Sequence, residues 1–213
     1  MLTLISATPS PYARKVRIAL QEKGIPFTLQ TEVPWDSTTK TPEYNPLEKL
    51  PVLILEDGKA VYESSFILEY IEAKWPEHPL LPSDLDERLF AKQIQVVADG
   101  ICDALLLAFF ERMRAPEVQS KPWTDRQMRK VDGGLKAFDE WVQAKTGDWL
   151  AGDSLSHGDI ALGAVCGYMS VRWPDHPWKS KHPALCKYWQ HLESRQSFKD
   201  TVPSPQTMKD KIV

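Results

Sequence analysis

A small α/β half followed by an all-helical half is the fold class that this sequence predicts, and three observations carry it. Residues 1–75 hold short apolar runs with strand-like alternation, interrupted by two amphipathic helical stretches. Pro76, Pro79 and Pro82 then punctuate a polar segment to about Asp86, the composition of a stiff linker. Beyond it the apolar residues recur at spacings of three and four and the strand pattern disappears. The expected organisation is an α/β domain over 1–76, a linker over 77–86 and an all-α domain over 87–213.

Leu2–Ser6 reads as a strand and Ala7–Ser10 as a turn. Pro11–Lys23 reads as a helix, with proline at its first position, Gly24 as its stop, and Val16, Ala19 and Leu20 on its inner face. Phe27 and Leu29 alternate with Thr28 and Gln30 in a second strand, and a long loop follows. Val52–Leu55 is a short apolar run, Asp57-Gly58 supplies the positive φ of a two-residue hairpin, and Lys59–Tyr62 is the return strand. Glu63 and Ser64 then open a helix whose predicted face is Phe66, Ile67, Tyr70 and Ile71. Strand, helix, strand, loop, strand, strand, helix is a thioredoxin-like order.

Pro51 is an unusual strand opener, since it donates no hydrogen bond and holds Leu50 extended. Two readings stand side by side. One is an ordinary trans proline. The other is a cis Leu50-Pro51 bond that turns the Leu50 backbone outward, where an extended peptide can pair with it.

In the second half, Phe90, Ile94, Val97, Ile101, Leu105 and Ala108 define a long helix ending before Pro116. Another follows Trp123, and its Gly133-Gly134 pair signals either close backbone packing or a kink. Ser156 and Asp159 form a capping box with Asp in the place of Glu, and Leu155 and Ile160 complete a staple. That geometry favours a structural cap over a catalytic role for His157 and Asp159. The tail from Lys199 is polar, with two prolines, and is assigned no role.

A length of 213 residues with 42% hydrophobic content is enough to bury a core in each of two small domains. A net charge of −3 supplies no general attraction to nucleic acid or anionic membrane. The three cysteines, Cys102, Cys166 and Cys186, are widely spaced and odd in number, against a disulfide framework or a zinc site and in favour of a reducing compartment. Met1–Ile5 lacks the charged start of a secretory signal, and the longest apolar block, Ala104–Phe110, is far short of a membrane span; a cytoplasmic protein is expected. No HExxH, GxSxG, Walker or dinucleotide-binding glycine motif is present.

SPYARKVRIAL at Ser10–Leu20, KLPVLI at Lys49–Ile54, ESSFILEYIE at Glu63–Glu72 and the box at Gly152–Asp159 occur in order and at the right separations. Together they resemble the cytosolic glutathione S-transferases of the serine type, with a flavour of the tau and zeta classes, over nearly the whole chain. The resemblance implies that Ser10 is catalytic, its hydroxyl donating a hydrogen bond to the sulfur of glutathione and stabilising the thiolate. It implies that glutathione is the co-substrate, that no metal takes part, and that the protein is a homodimer.

The same resemblance assigns the glutathione contacts. Ser64 and the amides of the following helix suit the γ-glutamyl carboxylate, Glu63 the α-ammonium, the Leu50 backbone beside Pro51 the cysteinyl portion, and Lys49 the glycine carboxylate. Glu48 departs from the pattern, since relatives often carry Gly or a neutral residue there. Tyr12, Trp35, Phe109, Met113, and with them Phe110 and Trp173, are the candidate lining of a pocket between the domains for a small hydrophobic electrophile. Other uses of the same thiolate, as in an isomerase, peroxidase or dehalogenase, remain open, as does a non-catalytic interaction module. Serine at position 10 disfavours disulfide exchange.

Overall fold

The computed structural model describes residues 1–213. In the first half, β1 (Leu2–Ser6), α1 (Pro11–Glu22), β2 (Phe27–Thr31), α2 (Thr41–Tyr44), β3 (Val52–Ile54), β4 (Ala60–Tyr62) and α3 (Ser64–Lys74) follow one another along the chain. The strands form one mixed sheet in the order β2-β1-β3-β4. β1 pairs parallel with β2, Leu4 opposite Leu29, and antiparallel with β3, Leu4 opposite Leu53. The hairpin closes antiparallel at Leu53 and Val61, with Gly58 at a φ of 83° in the turn.

The second strand forms as read, and two other local expectations are corrected. Leu29 lies on an edge strand and is 42% exposed, so only Phe27 of that pair packs against the core. The loop before β3 contains the short α2, which its proline-led TPEY sequence opens. On α3 the buried stripe is Ile67, Leu68 and Ile71, and Phe66 faces outward at 57% exposure; α3 meets the sheet one residue round from the face that the aromatic spacing predicts.

The second half is helical: α4 (Leu85–Met113), α5 (Lys121–Ala144), α6 (His157–Arg172), α7 (Trp178–Lys181), α8 (Pro183–Glu193) and α9 (Gln196–Lys199), with a 3-10 turn at Pro116–Val118. By length and composition α4 is able to cross a membrane, but α5 and α6 pack along it and bury Ile94, Ala98, Ile101, Leu105 and Ala108. It is the central helix of this half. α5 starts at Lys121 under a Ser120 cap, ahead of Trp123, and runs unbroken through its glycine pair. A methyl at Gly134 would lie 2.6 Å from the Ile101 Cδ1, so close packing on α4 explains that residue.

The capping box forms as read. Asp159 accepts from the Ser156 amide at 2.9 Å, and it also takes the Leu150 amide at 3.1 Å and the Tyr188 hydroxyl at 2.5 Å, joining α6 to α8. His157 is buried, and its amide donates to Leu80 at 2.8 Å, which pins the linker.

The halves are joined through α1. Arg14, 2% exposed, donates to both Glu193 oxygens at 2.9 and 2.8 Å and to the Phe198 carbonyl at 3.1 Å. Gly167 on α6 makes room for it, since a side chain there would collide with the guanidinium. Glu22 receives Arg195 through two hydrogen bonds, at 2.9 and 2.7 Å. Lys15, 2% exposed, pairs with Asp99 of α4. A cation so deeply buried requires such a partner.

Candidate functional site

Ser10 stands where β1 has turned into α1. Its amide donates to the Ala7 carbonyl at 3.1 Å, its backbone is extended (φ −66°, ψ 119°), and Pro11 takes the first helical position. The Oγ accepts the Ala13 amide at 3.2 Å, which is the capping role expected of a serine in this place. Accepting uses a lone pair, so the hydroxyl keeps its proton for donation. That proton has no acceptor within the protein, and Ser10 borders an open cavity of about 330 Å³.

The loop before β3 supplies a second wall. Asn45 is buried, holding the Lys49 carbonyl through its Nδ2 at 2.8 Å and the Leu47 amide through its Oδ1 at 2.9 Å. Glu48 adopts a φ of 54°, left-handed backbone that glycine occupies at least cost. The Leu50-Pro51 peptide is cis. The Leu50 N–H and C=O pair with no other backbone group, and Leu50 and Lys49 line the cavity.

Glu63 and Ser64 close this wall. Glu63 has a φ of 71° and caps α3 with its own carboxylate, accepting Ser65 at 3.2 and 3.1 Å, Phe66 at 3.1 Å and the Ser64 hydroxyl at 3.2 Å. The helix N-terminus therefore already holds an anion, and it is this one.

Ser10, Lys49, Leu50, Pro51, Glu63 and Ser64 thus meet around one cavity, and Tyr12, Trp35, Phe109 and Phe110 join them from its other side. Trp35 and Phe110 stack edge to face at 4.6 Å, and Phe110 meets Phe109 at 5.3 Å. Met113 is not among the lining residues: it ends α4, beyond the cavity, and is 37% exposed. Trp173 does not join them either, because it is buried beneath the Arg112 guanidinium, 3.7 Å from its ring.

Several lining residues escape the sequence reading: Asp103 and Leu106 on α4, Tyr168 and Arg172 on α6, and Gln206 and Met208 in the tail. The tail crosses the first half as a strap. Thr8 and Ser204 exchange hydrogen bonds at 3.1 and 3.4 Å, Gln206 donates to the Glu32 carbonyl at 3.0 Å, and the Lys209 amide donates to Asp36 at 2.8 Å. Its polar, unpatterned composition carries no periodic signal for this. Tyr168 and Arg172 are four residues apart on α6, the spacing of one helix face, and that is the only signal they offer.

The electrostatics divide the site. Burial pushes the Tyr12 phenol far above its ordinary range, and the neighbouring Cys102 and Asp103, which accepts its hydrogen bond, add to the effect. Tyr12 is therefore a protonated donor committed to Asp103. Burial likewise raises the Cys102 thiol well above its usual value, removing it as a nucleophile. Near Ser64, Asp99 accepts Lys15 and, at 3.0 Å, the Ser65 hydroxyl, tying the start of α3 to α4.

Residues 9–74 match the family model of the glutathione S-transferase N-terminal domain, and residues 98–196 match that of the C-terminal domain. The chain is 34% identical, over 95% of its length and 98% of the other's, to the uncharacterized GST-like protein YibF of Escherichia coli K12. Among solved structures it is similar to a glutathione S-transferase of Methylobacterium radiotolerans in complex with glutathione sulfonate, at 55% identity and a TM-score of 0.96 over 100% of this chain and 99% of that one. It is also similar to a glutathione S-transferase of Methylobacillus flagellatus with glutathione bound, at 35% identity and a TM-score of 0.90 over 96% and 100% of the two chains.

Proposed function

The chain belongs to the glutathione S-transferase family, and on that premise we propose that it is a glutathione transferase whose Ser10 holds the glutathione sulfur as a thiolate for attack on a hydrophobic electrophile. The observation that carries this reading is the Ser10 hydroxyl, capped on its acceptor side by Ala13 and with its proton unclaimed at the cavity edge. Residues 1–76 bind glutathione, 77–86 connect, and 87–213 complete the electrophile pocket. A cytosolic setting accords with the unpaired Cys102, Cys166 and Cys186.

The energetics are sufficient. A cysteinyl thiol with a pKa near 8.5 is only roughly 3% ionised at pH 7. Lowering that pKa by about two units needs about 2.7 kcal/mol of preference for the anion. A hydroxyl hydrogen bond to a charged acceptor supplies ~1.5–3 kcal/mol, and the N-terminus of α1 adds ~0.3–1 kcal/mol. Attack on an aryl halide then forms the S–C bond, the halide leaves with its electron pair, and the thiol proton passes to solvent.

The unpaired Leu50 backbone suits the cysteinyl portion of glutathione as an added strand. Lys49 meets the glycine carboxylate. For the γ-glutamyl carboxylate to reach Ser64 and the amides of α3, the Glu63 carboxylate must swing off its own cap, and it then faces the α-ammonium. Homodimerisation is supported by an exposed apolar strip, Phe66 on α3 with Leu85, Leu89 and Val96 on α4, and light scattering in solution tests it.

Retention on immobilised glutathione, followed by conjugation of 1-chloro-2,4-dinitrobenzene, tests the function. Retention with turnover is expected. Neither retention nor turnover would turn the reading to a non-catalytic interaction module.

A further inference from the structure

The charged groups around the cavity are unequally occupied. Of its carboxylates, Glu63 caps α3, Asp99 holds Lys15 and Ser65, and Asp103 takes the Tyr12 hydroxyl. Lys49 lies with Glu48 on the loop wall, the side given above to glutathione. Arg172 lines the opposite side, half-buried, and its side chain takes part in no ion pair or hydrogen bond of the chain.

Its position is nonetheless built. The guanidinium carbon sits 5.1 Å from the centre of the Phe109 ring, a cation–π contact that seats the group on that wall. The carbonyl end of α6 favours a cation in this last turn. That accounts for a positive charge there but not for its seat on an aromatic wall of the cavity. One turn earlier on the same helix, the buried Tyr168 also lines the cavity, and its hydroxyl makes no hydrogen bond within the protein. Burial pushes that phenol up to about 12, so it keeps its proton and is a donor at neutral pH. A planar guanidinium and a phenol on one helix face, both without partners, form a recognition pair for a carboxylate or a similar planar oxyanion.

We propose that Arg172, with Tyr168 beside it, anchors an anionic group on the electrophile, so that the substrates preferred by this site are aromatic or apolar electrophiles carrying a carboxylate. The assignment rests on the glutathione-transferase reading of the cavity and narrows its substrate class.

The test uses matched pairs. 4-Chloro-3-nitrobenzoate and 4-chloro-3-nitrobenzamide have the same reacting carbon and leaving group: sulfur bonds to the ring carbon, chloride departs with its electron pair, and the thiol proton goes to solvent. The corresponding S-aryl glutathione conjugates report binding without turnover. The full chain is expected to bind the carboxylate conjugate at least about fivefold more tightly than the amide, and to show the same preference in kcat/KM once each is divided by that substrate's uncatalysed rate with glutathione, because a carboxylate activates the ring less than a carboxamide. Arg172→Gln should collapse the ratio toward one, and Arg172→Lys should keep part of it. Equal binding of the two conjugates, or a preference that survives Arg172→Gln, overturns the proposal while glutathione binding persists. Loss of binding by glutathione and both conjugates would sink the transferase reading itself, and the proposal with it. Should Arg172→Gln not fold, Tyr168→Phe must lower the same ratio, and an unchanged ratio there overturns the proposal.

Discussion

The hydroxyl of Tyr12 donates to the carboxylate of Asp103, so the phenol two residues beyond Ser10 is bound across the domain boundary to α4. Its proton is spent on that contact, and burial keeps it from leaving. On the proposed reading, Tyr12 is therefore no second thiol activator beside Ser10 while this pairing holds. Ser10→Ala should raise the pKa of enzyme-bound glutathione by about one to two units and lower kcat/KM by about 10- to 100-fold. Tyr12→Phe should leave that pKa within about 0.3 units. The ultraviolet absorbance of the thiolate as a function of pH reads both, and equal shifts in the two variants would contradict the division of labour.

Lys15 and Asp99 form the buried ion pair nearest the site. Asp99→Ala leaves an ammonium 2% exposed with no carboxylate, at an expected cost of about 3–5 kcal/mol. Adding Lys15→Met should return most of the loss, because a well-packed apolar group replaces the unpaired charge. Urea unfolding of the single and double variants measures this, and a double variant no more stable than the single one would refute it.

Met208 reaches the cavity from the strap. Met208→Ala removes part of its apolar contact with a bound electrophile, about 1 kcal/mol if half the side chain is engaged. The KM for a hydrophobic electrophile should rise about fivefold while the Kd for glutathione changes less than about twofold. Steady-state kinetics with calorimetry checks the split, and equal rises in both constants would contradict it.

Acid should loosen the two halves at a specific place. Burial alone would push the Glu22 carboxyl up, but the hydrogen bonds from Arg195 and Ser197 and the nearby positive charge outweigh it and hold the group below its ordinary value. Glu72 is held down in the same sense, with His157 and Lys23 opposing its burial. A carboxyl depressed in the folded state stabilises the fold above its unfolded pKa of about 4.5, and that contribution disappears as pH falls through the lower folded value. The urea midpoint should therefore drop from about pH 5 downward, and less steeply in Glu22→Gln. Parallel slopes in the two proteins would show that Glu22 plays no part.

The strand and helix order of the first half and the residues of the cavity's loop wall were legible because each carries its own local chemistry. Asp57-Gly58 makes a hairpin in any context, and Ser10 before Pro11 is a helix start by composition alone. The opposite side of the cavity was not legible in this way. Phe109 and Phe110 stand out as large aromatics, but nothing separates them from Met113 and Trp173 until the axial rotation of α4 and the packing of α6 are fixed. Arg172 looks like an ordinary basic residue at the end of a helix, and Gln206 and Met208 belong to a tail whose hydrogen bonds are long-range and mostly made by backbone. Phe66 shows the same limit: its spacing fits a buried face, and one residue of rotation turned it outward.

The clasp on α1 constrains how this scaffold can be recombined. Arg14, Lys15 and Glu22 are encoded in the first half, but the groups that neutralise them, Glu193, Asp99 and Arg195, are encoded in the second. A chimera that splices the helical half of a distant homologue onto this sheet would leave fixed charges facing the wrong neighbours. Shuffling at the linker will give sound proteins only when these three pairs are inherited together.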